Sequence, residues 1–140
     1  MPPDLAAWAN RAAPVSAAAS ADRLTDAVVP VGRAVDAALL PTRSVAFVVR
    51  PGNPGGSVAH AGLFRLSIPH AGTWRVAIAA HAWIEVVVDG KPVDSVAHGG
   101  GPACAGIAKV VDYDLPAGDH VLMLSASDAA VSEVLVVEKR

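Results

Sequence analysis

Five histidines and a single cysteine are the side chains here with the most chemistry to offer. His98 and Cys104 have five residues between them in one glycine-rich stretch, HGGGPAC, and could place an imidazole and a thiolate on the same ion. Zn²⁺ and copper prefer such nitrogen and sulfur donors, and loops can converge on an ion as well as a helix face can. His81 or His60 would complete the set, giving His98, Cys104, His81 and His60 as candidate metal ligands. The pattern has no C-x2-C and no H-x-H pair to fix distances. A plainer reading leaves the histidines exposed near strand ends and makes Cys104 a small buried apolar residue. That plainer reading, with no cofactor, is adopted, and a Zn or Cu protein is kept as the alternative.

Enzymatic readings fare worse. As a nucleophile Cys104 would need its thiol acidified by His98 or another cation, with Gly99–Gly101 amides as oxyanion donors. Nothing in the sequence orients such a base. HGGGP also resembles the oxyanion loop of esterases, but the G-x-S-x-G elbow of that chemistry is missing. PGNPGGS, at 51–57, lacks the Lys–Ser/Thr pair and following helix of a phosphate cradle. The expectation is a non-catalytic chain.

Aromatic residues suggest a binding surface instead. Trp74 is in phase with Val76 and Ile78 and belongs to a core. Trp83 is out of phase with Ile84, Val86 and Val88, so it shares the opposite face with Glu85. An exposed tryptophan beside a polar group anchors protein interfaces or stacks on sugar rings. Trp8, the only aromatic side chain before Leu24, would dock its segment on the same domain or reach a neighbouring subunit. Trp83, Glu85 and Trp8 are the candidate binding residues; Lys109, Tyr113 and Arg65 could line a face without an assigned role.

These residues must be positioned by strands. Gly62–Gly90 holds three alternating runs, Phe64/Leu66/Ile68, Trp74/Val76/Ile78 and Ile84/Val86/Val88, separated by turn residues. Period-two alternation broken at short intervals predicts half-buried antiparallel strands. Further strands are expected at Val35–Leu40, Val45–Arg50, Lys91–Ala97 (returned by the Asp89–Gly90 hairpin), Ile107–Tyr113, His120–Ser125 and Val131–Val137. Residues 1–30 read as an arm and linker, with a short helix at about 4–13 that Asp4 can cap and Pro14 interrupts. The fold class is all-β: a two-sheet antiparallel sandwich of jelly-roll type with eight or nine strands over 31–140, preceded by the helical arm. Successive strands reverse direction, so connections alternate between two ends. The loops at 51–60, 80–81, 98–106 and 127–130 should share one end, with His60, His81, His98, Cys104 and Asp128 on its rim. His70 and His120 fall at the other end.

The phrases PHAGTWRVAI, AWIEVVVDGKPV and LPAGDHVLMLS resemble the strand–turn units of bacterial pre-peptidase C-terminal domains and similar carbohydrate-binding-like modules. The likeness spans roughly residues 60–137 and is one of strand grammar. It implies an accessory, non-catalytic role outside the cytoplasm. The acidic loops that hold calcium in some of those modules have no counterpart here.

Composition fits that picture. The 140 residues are 53% hydrophobic and 17% charged, enough for one domain with a real core. So few charges favour self-association or a protein partner, with carbohydrate as a further class. Net charge is −2 and the eleven Lys and Arg are scattered, which argues against nucleic acid. No run is long enough to span a membrane. One cysteine excludes an internal disulfide, and an Ala/Ser/Pro-rich lead before strands suggests a periplasmic or extracellular protein, although no signal peptide is visible. The function expected is an exported binding or assembly module.

Overall fold

Alternating side chains become alternating faces. On the strand that carries Trp74, Val76 and Ile78 these three are buried between two sheets, while Arg75 and Ala77 point the other way. A computed structural model describes residues 3–101 and 106–139 of the chain. Among them are strands β1 (Val15–Ser16), β2 (Val28–Val29), β3 (Val35–Ala38), β4 (Leu40–Pro41), β5 (His60–Ile68) and β6 (Gly72–Ile78). They are followed by β7 (Trp83–Val88), β8 (Lys91–Pro92), β9 (Ala97–Gly99), β10 (Lys109–Leu115), β11 (Gly118–Ser127) and β12 (Val131–Glu138).

Sheet one runs β1-β3-β12-β6-β10-β9, and sheet two runs β2-β5-β11-β7-β8, with β4 also pairing β5. Without the short additions the orders are β3-β12-β6-β10 and β5-β11-β7-β8. That is the interleaved order of a jelly roll, in which each sheet takes alternate strands from a chain folded back on itself. The sandwich is all-β as expected, but its sheets are mixed rather than purely antiparallel. β1 lies parallel to β3 and β2 lies parallel to β5. Parallel pairs need a crossover. The amino-terminal segment supplies it by passing from one sheet edge to the other and back.

That segment departs from the arm-and-linker expectation. Its helix is a 3-10 turn over Pro3–Ala9, too short and tight for the run expected at 4–13. The Ala/Ser-rich stretch after Pro14 contributes β1 and β2 and a bridge from Ala18 to Leu63. The outer edge of β5 is thus covered in turn by β4, Ala18 and β2. With the outer edge of β5 so occupied, Val45–Arg50 does not join it as a strand. Its Phe47, Val48 and Val49 instead pack against the core from an irregular loop.

The hairpin after β7 forms where expected, with Asp89 and Gly90 both at positive φ (50° and 78°). Its return strand is only Lys91–Pro92, followed by one more hydrogen bond from the Val93 N–H to the Val86 carbonyl. The chain then crosses to sheet one, where β9 pairs with β10.

The main core lies between the sheets and includes Phe64, Leu66, Trp74, Val76, Ile84, Val86, Tyr113 and Leu122. A second, smaller core covers the outer face of sheet one. There Leu5 and Trp8 pack over Ala77, Val110, Leu135 and Val137.

Candidate functional site

The reversal count places three of the four rim loops together. His81 N–H donates to Asp128 Oδ1 at 3.2 Å, and Asp128 N–H donates to the His81 carbonyl at 3.2 Å, tying the 79–82 turn to the 128–130 turn. Ser125 Oγ donates to the Asn53 carbonyl at 2.6 Å, which brings in the 51–59 loop. His60 opens β5 opposite Ser127, at the same end. His98 is different. It sits on β9 opposite Val111, two residues along β10 from this end, on an edge rather than in a loop. His70 pairs with Glu138 at 2.7 Å and His120 shares a 2.7 Å hydrogen bond with the Pro116 carbonyl, both at the far end.

Among the described residues no three His, Cys, Asp or Glu side chains converge on a position that would hold a metal ion. His60 begins β5 and His98 lies on β9 in the other sheet, while His81 is on the turn between β6 and β7. Cys104 lies outside the described residues.

What does converge is a cluster around Trp83. Its face assignment with Glu85 holds: Trp83 Nε1–H donates to Glu85 Oε1 at 2.8 Å. The same oxygen accepts the Gly52 N–H at 2.6 Å. The Gly52 backbone can lie against the indole because it lacks a side chain; a Cβ there would be 3.1 Å from ring atoms Cζ2 and Nε1. Trp83 remains 39% exposed. Trp8 belongs to a different surface, buried on the outer face of sheet one, so the arm does not cover Trp83.

Beside Trp83 stands a set of residues from sheet one that composition alone did not flag. Lys109, Val111 and Tyr113 alternate along β10 and face into the gap between the sheets, toward β7. β8 is too short to pair with all of β7, so β7 carbonyls on that edge find other partners. Val93 N–H, continuing the hairpin, donates to the Val86 carbonyl at 2.9 Å; beyond it Ile84 accepts from Tyr113 Oη at 3.1 Å, and Ala82, just before β7, accepts from Lys109 Nζ at 3.2 Å. An open strand edge is thereby closed with side chains of the opposite sheet. Lys109 Nζ also lies 5.0 Å from the centre of the Trp83 ring, a cation–π distance.

Burial lowers the pKa of Lys109 below its usual value. Burial, with a smaller contribution from the Glu85 charge, raises that of Tyr113 well above the ordinary phenol range. Two recesses of about 350 Å³ each meet at Trp83 and Lys109. One is lined by Asn53, His81 and Ala126. The other, between the sheets, is lined by Ile84, Ser95, His98, Val111 and Tyr113. The signal that could have found it is the period-two run Lys109/Val111/Tyr113, with polar ends on an apolar face. No protein-family model, curated protein or solved structure matches this chain.

Proposed function

We propose that this jelly roll is a non-catalytic binding module that engages a protein partner through the rim around Trp83. The observation that carries this reading is a tryptophan 39% exposed yet held in place by Glu85, Gly52 and Lys109. A large amphipathic side chain that is already ordered loses little entropy on binding, which is how aromatic anchors contribute most of an interface's energy. Val58 and Val131 are exposed near the same end and extend the apolar surface. A protein partner is favoured over a sugar. Gly52 already lies against the indole and Lys109 stands over it, which leaves less free face for a pyranose ring to stack on.

Site-specific photo-crosslinking in the producing cell tests this. A photoreactive residue at Asn53, on the rim, should capture a discrete partner band that Trp83→Ala reduces at least tenfold. A probe at Asn10, on the arm, should not. Capture from Asn10 alone, or capture from Asn53 that survives Trp83→Ala, would overturn the proposal.

A further inference from the structure

Resting on that reading of the rim, we infer that the recess between β7 and β10 takes a carboxylate carried on an apolar body, seated at Lys109. A protein's C-terminal residue with an apolar side chain and a free aromatic or aliphatic acid share this chemistry. The argument starts from the ammonium group. Three other cations packed on sheet one have carboxylate partners: Arg11 with Asp36 and Glu133, Arg75 with Asp4 and Asp112, and Lys139 with Asp112. Among the described residues Lys109 has none. Its partners are the Ala82 carbonyl and the Trp83 ring, which leave two of its three N–H donors for a ligand. A cation partly withdrawn from water with no counter-charge is costly, and a bound anion relieves that cost.

The walls select the rest of the ligand. Ile84, Val111, Tyr113 and Trp83 form most of the recess beside Lys109, so the anion must bring apolar surface with it. About 350 Å³ admits a group the size of one ring or one large aliphatic side chain. Tyr113 Oη is already committed to Ile84, so Ser95 and His98 are the polar groups left to orient the ligand. A phosphate dianion fits less well. It would meet a single ammonium, with the Glu85 carboxylate close enough to perturb Tyr113, and it would leave the apolar walls uncovered.

The test is calorimetric titration of the full chain at pH 7 with four probes. These are an acetylated tetrapeptide ending in leucine as the free acid, the same peptide as the C-terminal amide, phenylacetate, and inorganic phosphate. The acid peptide should bind at least tenfold more tightly than the amide, and Lys109→Met should bring that ratio close to one. Lys109→Gln serves as a second variant, and unchanged thermal melting shows that either is folded. A peptide acid at least tenfold tighter than phenylacetate assigns the site to protein C termini, and equal affinities assign it to free acids. Equal binding of acid and amide, a preference that survives both Lys109 variants, or phosphate binding tighter than either acid would overturn the inference. Should no acid bind while Trp83→Ala still abolishes crosslinking from Asn53, the ligand class fails and the rim reading stands.

Discussion

Two tryptophans on this sandwich have opposite fates. Trp8 is pressed onto the outer face of sheet one, 9% exposed, among Leu5, Val110, Leu135 and Val137. Trp83 stands at the rim, 39% exposed, with Gly52 on its ring and Lys109 nearby. The charges follow the same division. At the covered face Arg75 lies 3.0 Å from both Asp4 and Asp112, and Lys139 lies 3.4 Å from Asp112, so two cations meet two carboxylates. At the rim, Lys109 has a carbonyl and a ring. A surface finished by the chain itself shows paired charge and covered apolar area; the rim shows neither. That contrast is the main reason for looking to the rim for a partner.

The contrast predicts unequal mutational costs. Arg75→Met removes the cation shared by the buried carboxylates of Asp4 and Asp112, a loss of about 4 kcal/mol. Trp8→Ala empties the second core and should cost about 3 kcal/mol. Trp83→Ala removes a side chain already partly in water, and about 1 kcal/mol is expected. Urea unfolding of the three variants checks the order. If Trp83→Ala proves as damaging as Trp8→Ala, Trp83 is structural and the rim is not a binding surface.

A second prediction concerns what finishes the other sheet. Ala18 bridges to Leu63 on the outer edge of β5, and this close approach depends on Gly62. A Cβ at Gly62 would collide with the Ala17 Cβ. Gly62→Ala must therefore push the amino-terminal segment off the edge, at a cost of about 2 kcal/mol. Hydrogen exchange should show faster exchange at Ala18 and Leu63, which bond one another through their backbones, and little change at Tyr113. Uniform acceleration would mean that the segment is part of one cooperative unit with the rim.

The main strands were legible because their alternation is strong: Phe64/Leu66/Ile68 and Trp74/Val76/Ile78 can only bury one face. Counting reversals then grouped His60, His81 and Asp128 at one end, since parity survives errors in strand boundaries. The amino-terminal segment was not legible. Alanine and serine carry no periodic signal, and their small size is what lets Ala17 and Ala18 approach β5 closely. The reverse error came at Val45–Arg50, where a strand-like run met an edge already filled. Trp83 and Glu85 were readable as one face from their two-residue spacing. Lys109 and Tyr113 could be named as lining a face but given no role, because their roles depend on β8 being too short to close β7, a tertiary fact.

The smallest effect sharpens the comparison at the point where the sheets meet. Tyr113 is the only tyrosine in the chain, so its titration can be followed by phenolate absorbance without interference from another. Its pKa is raised above the reference value of 10.0, first by burial and then by the Glu85 charge. The protonated phenol is thus favoured by the fold. Its contribution to stability is complete below pH 10 and is lost as the pH rises beyond that value. The native chain should show almost no phenolate at the pH where the urea-unfolded chain is half ionised. Tyr113→Phe should cost about 1 kcal/mol at pH 7, since the Ile84 carbonyl loses its donor, and should flatten the alkaline decline. Lys109 has the opposite sign. Its lowered pKa makes loss of its charge favourable to the fold as pH rises toward 10.5, so Lys109→Met should steepen the decline. A native Tyr113 that ionises as freely as the unfolded one would mean that water reaches the gap between the sheets. The recess beside Lys109 would then be too wet to pay for an apolar ligand.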